Sequence, residues 1–259
     1  MSEGSFAPEA LEDLVVAKQP EINEVQSSRE YAPTQSIARL LALPLEQRKV
    51  VDKPITAATK VCLIGDGQGA DTKLFSSVVR PENITSVNYD LREVTAANER
   101  FEREGSAVRM KQADITNADS LRNAGLAEGS QDLVVAAHVL EVPIFNTQIG
   151  DEVARQKAAQ NEKSFADNIA NVLKPNGEAL IFSYPQRLTQ KEATRLGVEK
   201  VTPDAAKFYD IEWRQDLTYA ELSAIRSQDE LTKLFGDKFT VIIDNTADGY
   251  AVRLKNSPL

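Results

Sequence analysis

A chain of 259 residues, 42% hydrophobic and 27% charged, is long enough for one large α/β domain with a full core or for two small domains, and its composition is that of an ordinary globular protein. A net charge of −9, from 39 acidic and 30 basic residues, argues against broad electrostatic attachment to nucleic acid or to an anionic membrane. No run approaches the roughly 18 apolar residues of a membrane span; the longest candidate, Leu133 to Phe145, is interrupted by His138, Glu141 and Pro143.

The beginning, Met1-Ser-Glu-Gly-Ser-Phe-Ala-Pro-Glu-Ala, lacks the basic and apolar regions of a secretory signal, and a single cysteine, Cys62, has no internal partner. A cytoplasmic location is the expectation. Residues 1–56 are polar at first and punctuated by prolines at 8, 20, 33, 44 and 54. Short helical patterns at Pro8–Val16 and Ser36–Leu43, the second with Ile37, Leu40 and Leu41 on one face, read as a partly flexible helical extension packed on a larger domain over 57–259.

From Lys60 apolar runs alternate with amphipathic stretches, which predicts βαβ units and a parallel sheet. The first strand is Val61–Ile64, followed by a glycine turn and a helix over Thr72–Val79 stopped by Pro81. Such a turn lets backbone approach a ligand, and the helix behind it would aim its first N–H groups at the same place. Ile84–Asn88 is the second strand. Asp90 and Glu93 then form a capping-box pattern before a helix with Val94, Ala97 and Phe101 on one side. Strands at Val108–Gln112, Leu133–His138 and Glu178–Tyr184 follow, the last two separated by a helix over Asp151–Leu173 that ends at Lys174-Pro-Asn-Gly177. A helix over Ser227–Phe235 leads to strands at Phe239–Asp244 and Tyr250–Lys255. The short turn between these two requires antiparallel pairing. The expected fold is therefore α/β, a doubly wound, mostly parallel seven-stranded sheet with an antiparallel C-terminal hairpin.

Four segments in this order carry a family resemblance: Gly65-Asp66-Gly67-Gln-Gly69, Val108-Arg-Met-Lys-Gln-Ala-Asp114-Ile115, Ser130-Gln-Asp132-Leu-Val-Val-Ala-Ala-His138-Val-Leu-Glu141, and Asn171-Val-Leu-Lys-Pro-Asn-Gly177-Glu-Ala-Leu-Ile. Together with the terminal hairpin they resemble the class I S-adenosylmethionine-dependent methyltransferases of the small-molecule type. The resemblance implies S-adenosylmethionine as cofactor. It places the methionine part on Gly65, Asp66, Gly67 and Gly69, and the adenine at Asp114 and Ile115. The family also ends its second strand with an acid that binds both ribose hydroxyls. Helix periodicity puts Asn88 at that place, whereas matching the acid puts Asp90 there, and both remain candidates. Leu63 stands where the family's first motif commonly has an acid.

His138, the only histidine, ends the fourth predicted strand, where ligands of open α/β sheets collect. It reads as a cofactor and acceptor neighbour able to take a proton, or as a packing residue. Tyr184 occupies the same place on the fifth strand and is the second catalytic candidate. Residues 186–225 contain a long connection with Phe208, Tyr209, Trp213 and Tyr219, which reads as a lid or as core filling. Asp114 is an adenine contact or the cap of a helix starting near Asn117. No zinc-spaced cysteines or histidines, phosphate-binding Gly-x-x-x-x-Gly-Lys or Gly-x-Ser-x-Gly occurs, so no metal is expected and a hydrolase triad has nothing to build on. The implied function is methyl transfer to a small-molecule acceptor, with no nucleic acid or membrane partner and room for a homo-oligomer. Two alternatives stay open: a non-catalytic binding relative, and an NAD(P)-dependent oxidoreductase, because Gly65-x-Gly67-x-x-Ala70 also satisfies a dinucleotide fingerprint.

Overall fold

The apolar runs become strands β1 (Val61–Ile64), β2 (Ile84–Asn88), β3 (Met110–Gln112), β4 (Gln131–Ala137), β5 (Leu173–Ser183), β6 (Phe239–Thr246) and β7 (Gly249–Asn256). Between them lie helices α1 (Ala70–Ser76), α2 (Leu91–Arg103), α3 (Ala118–Asn123), α4 (Glu152–Val172) and α5 (Gln228–Phe235). This computed structural model describes residues 36–67, 69–137, 139–140, 142–147, 151–183, 226–246 and 249–256, with single positions 203 and 215. The helical pattern at Pro8–Val16 and the residues His138, Glu141, Tyr184, Phe208, Tyr209, Trp213 and Tyr219 lie outside the described residues.

The sheet order is β3-β2-β1-β4-β5-β7-β6. β1 pairs in parallel with both β2 and β4, and β7 runs antiparallel to β5 and to β6. The chain winds outward from β1 to β3, then returns to place β4 on the other side of β1. That reversal opens a crevice at the carboxyl ends of β1 and β4, where ligands of such sheets bind.

Alternation along each strand builds two core layers. Cys62, Ile64, Val134, Ala136, Ala179 and Ile181 face one layer with Phe165 of α4 and Phe235 of α5. Val61, Leu63, Leu133, Val135, Leu180 and Phe182 face the other with Phe75 of α1. Phe145, Phe165, Phe235 and Phe239 form an edge-to-face series with centroids 5.6, 6.4 and 6.1 Å apart. Residues 36–42 are helical, and Ile37, Leu41, Val50 and Ile55 complete the second layer. A buried carboxylate fastens this segment. Glu178 of β5, 2% exposed, accepts the successive N–H groups of Val51, Asp52 and Lys53 at 2.9, 2.7 and 2.9 Å.

Several boundaries differ from the expectation. α1 begins two residues before Thr72 and ends at Ser76, where the Ser77 hydroxyl takes the Leu74 carbonyl. β3 starts at Met110 because only Met110, Lys111 and Gln112 find partners on β2. β5 starts at Leu173, and its register with β4 jumps from Gln131↔Leu173 to Leu133↔Glu178. The Lys174-Pro-Asn-Gly177 turn is thus a bulge inside the strand, with Asn176 at φ 58°. Among the described residues no helix is long and apolar enough to cross a membrane.

Candidate functional site

β1 ends in the glycine loop at the crevice. The Gly65 N–H still pairs with the Val87 carbonyl of β2 at 2.9 Å, and then the chain turns. Gly65, Gly67 and Gly69 have φ of 71°, 51° and 87°, the left-handed region that side chains make costly. The three are not equivalent. A Cβ on Gly65 would stand 2.7 Å from Val139 Cγ2, and one on Gly69 2.4 Å from Phe101 Cζ. A Cβ on Gly67 would meet no atom within 4 Å, and among the described residues its N–H has no partner. Gly65 and Gly69 serve packing; Gly67 faces open space.

Asp66 turns inward. It is 8% exposed, and its carboxylate accepts the N–H groups of Asp71 and Thr72 at 2.7 and 2.9 Å and the Thr72 hydroxyl. It thereby caps α1 in place of Gly69, which has no side chain to do so. This corrects one expectation: two of the first N–H groups of the helix are taken by Asp66 and do not point at a ligand. Burial pushes the Asp66 carboxyl up to about 6, against the downward pull of its hydrogen bonds and of the Arg100 charge.

Asn88 is the last residue of β2 and 7% exposed. Its Oδ1 accepts the Asp90 N–H at 2.9 Å, and its Nδ2 donates to Glu93 Oε2 at 2.6 Å. Asp90 caps α2 by accepting the Arg92 N–H at 2.8 Å, and both its oxygens are bonded by the Arg92 guanidinium. The Arg92 bonds outweigh partial burial and hold the Asp90 carboxyl below its ordinary range. Only half of the expected capping box exists. Asn88 serves the Asp90 N–H, so Glu93 turns to Asn88 instead.

Beyond β3, Asp114 Oδ1 accepts the Thr116 N–H and hydroxyl at 2.8 and 2.7 Å. Asn117, not Asp114, caps α3. Among the described residues Asp114 Oδ2 and the Ile115 N–H have no hydrogen-bond partner, which leaves an acceptor and a donor side by side. Tyr89 is 39% exposed; partial burial, and then the Asp114 charge, raise its hydroxyl pKa.

Residues 63–181 match the family described as "Methyltransferase domain". In structure the chain is similar to the PH0226 protein from Pyrococcus horikoshii OT3, at 14% identity over 98% of this chain and 100% of that one, TM-score 0.55. It is likewise similar to an S-adenosylmethionine-dependent methyltransferase from Aquifex aeolicus, at 13% identity over 97% and 98%, TM-score 0.50. A third similar structure is the CurJ carbon methyltransferase, at 13% identity over 96% of this chain and 64% of that one, TM-score 0.55. No curated protein matches the sequence. The family match separates the two kinds of nucleotide fold. Residues 63–181 carry a methyltransferase domain, in the fold of the S-adenosylmethionine-dependent methyltransferases. S-Adenosylmethionine is its cofactor, and the nicotinamide alternative gives way to it.

The methyltransferase residues present fit that cofactor on one structural observation. Among the described residues, polar groups with unused bonding capacity follow the carboxyl ends of β1, β2 and β3: the Gly67 N–H, one oxygen of Glu93, Asp114 Oδ2 and the Ile115 N–H. Sequence reading did not single out Arg226 or Glu162. Arg226, 5% exposed, donates to Glu162 Oε1 and to the carbonyls of Leu140 and Phe145, each of the latter at 2.8 Å. It ties the segment after β4 to α4 and to the start of α5. An arginine within a polar connection carries no pattern that would have marked it. His138 and Tyr184 lie outside the described residues.

Proposed function

We propose that the methyltransferase moves a methyl group to an oxygen, nitrogen or carbon of a small-molecule acceptor, with the cofactor spread over the carboxyl ends of β1, β2 and β3. The observation that carries this reading is the donor–acceptor pair of the Ile115 N–H and Asp114 Oδ2, which have no partner among the described residues and lie near the half-exposed Tyr89. An adenine edge offers the complementary amino donor and ring-nitrogen acceptor. The glycine loop takes the methionine part across Gly65, Asp66, Gly67 and Gly69, with Gly67 as the face that a Cβ would block. The ribose lies where β2 ends and α2 begins, at the segment from Asn88 to Glu93.

S-Adenosylmethionine, when bound, supplies an electrophilic sulfonium methyl. The chain contributes alignment, exclusion of water and, through His138 or Tyr184, acceptance of a proton from an acceptor hydroxyl or amine. The net charge of −9 favours a small acceptor over nucleic acid. The CurJ carbon methyltransferase lends the carbon option its place in the list.

The test is calorimetric titration with S-adenosylhomocysteine, with NAD and NADP in parallel. Micromolar binding of S-adenosylhomocysteine alone is expected, followed by transfer of labelled methyl to a member of a small-molecule panel. Nicotinamide binding would overturn the cofactor placement, and labelling of protein alone would overturn the acceptor class.

A further inference from the structure

We propose that Glu93 is the residue that holds the ribose diol of the cofactor, with Asn88 as the residue that positions it. This rests on the cofactor placement given above. Neither residue at the turn expected to do this work has a carboxylate to spare. Asn88 has no charge, and its amide is already oriented by two bonds, its oxygen facing the Asp90 N–H and its nitrogen facing Glu93. Asp90 has both oxygens bonded by Arg92 while it caps α2.

Glu93 is differently placed. One of its oxygens is held by the buried Asn88 amide at 2.6 Å; among the described residues the other has no hydrogen-bond partner and no cation pairs with the group. It stands in the first turn of the 13-residue α2, where the helix dipole favours a negative charge. The asparagine that fixes it is the last residue of β2, next to the strand that enters the glycine loop. A vicinal diol presents two hydroxyl donors, and a carboxylate offers acceptors on both oxygens. A charged acceptor binds such donors roughly twice as strongly as a neutral amide. The carboxylate function has moved from the strand end to the first turn of the next helix, and Asn88 holds it there.

The experiment compares wild type, Glu93→Gln, Asn88→Asp and the double variant in calorimetric titrations with S-adenosylhomocysteine and with its 2′,3′-dideoxyribose analogue. Glu93→Gln should weaken S-adenosylhomocysteine by roughly tenfold and leave the dideoxy analogue unchanged. Asn88→Asp alone should also weaken it, because two carboxylates would then face each other. The double variant returns one carboxylate to the turn and should recover to within about threefold of wild type. Unchanged affinity in Glu93→Gln, or a loss shared equally by the dideoxy analogue, would overturn the assignment while leaving the cofactor in place. Failure of the wild type to bind S-adenosylhomocysteine would instead overturn the cofactor placement, and this assignment with it.

Discussion

The carboxylate of Asp66 accepts the N–H of Thr72 at 2.9 Å, so a residue of the glycine loop closes the first turn of the helix that follows it. This gives the loop a pH dependence. The folded Asp66 carboxyl is raised to about 6, whereas an unfolded aspartate titrates near 3.8. Between these values the native state keeps a proton that the unfolded chain has released, so this group's contribution to stability falls as pH rises through that window. Asp66→Asn lacks the effect. Its melting temperature relative to wild type should climb from pH 4 to pH 7; a flat difference would contradict the assignment.

Gly67 and Gly69 should separate binding from stability. Gly69→Ala drives a Cβ to 2.4 Å from the Phe101 ring at φ 87° and should cost about 2–4 kcal/mol in urea unfolding. Gly67→Ala meets no protein atom within 4 Å and should cost only about 1–2 kcal/mol of backbone strain. It should nevertheless abolish S-adenosylhomocysteine binding measured by calorimetry.

Glu178 closes three backbone N–H groups of residues 51–53 inside the fold. Glu178→Ala leaves those donors unpaired and should destabilise by about 3 kcal/mol, and Glu178→Gln by less, since an amide accepts through one oxygen. Chemical denaturation of both variants checks the order. Equal losses would show that one neutral acceptor oxygen recovers nothing and that the full carboxylate is required.

Removal of Arg226 strands Glu162 and the carbonyls of Leu140 and Phe145. Arg226→Met should cost about 3–5 kcal/mol, the usual penalty for breaking a buried ion pair from one side. Adding Glu162→Leu should recover part of it. A double-variant cycle in urea that shows simple additivity would argue against the pairing.

Much of the architecture was legible because it depends on local period and order. Val61–Ile64 and Ile84–Asn88 have the bounds expected of them, and the helix face with Val94, Ala97 and Phe101 is buried as its spacing predicts. Other features depend on distant partners and were not legible. β3 shortens because β2 offers partners to three residues only, and the Lys174–Gly177 turn sits inside β5 because β4 resumes pairing beyond it. The same holds at the site. Asp90-x-x-Glu93 has the spacing of a capping box, but Asn88 at the strand end outcompetes Glu93 for the Asp90 N–H.

The sequence by itself determined the alternation of elements, the reversed C-terminal hairpin and the glycine loop at the end of the first strand. Hydrophobic period, turn residues and chain order act over a few residues and need no distant partner. The tertiary structure alone decided which glycine is open, that Asp66 faces inward, and that one oxygen of Glu93 is held by Asn88 while the other has no partner among the described residues. Those outcomes depend on Phe101 packing against Gly69, on Val139 packing against Gly65 and on the Arg92 guanidinium bonding Asp90, and the packing contacts exist only once α2 and the segment after β4 lie against β1.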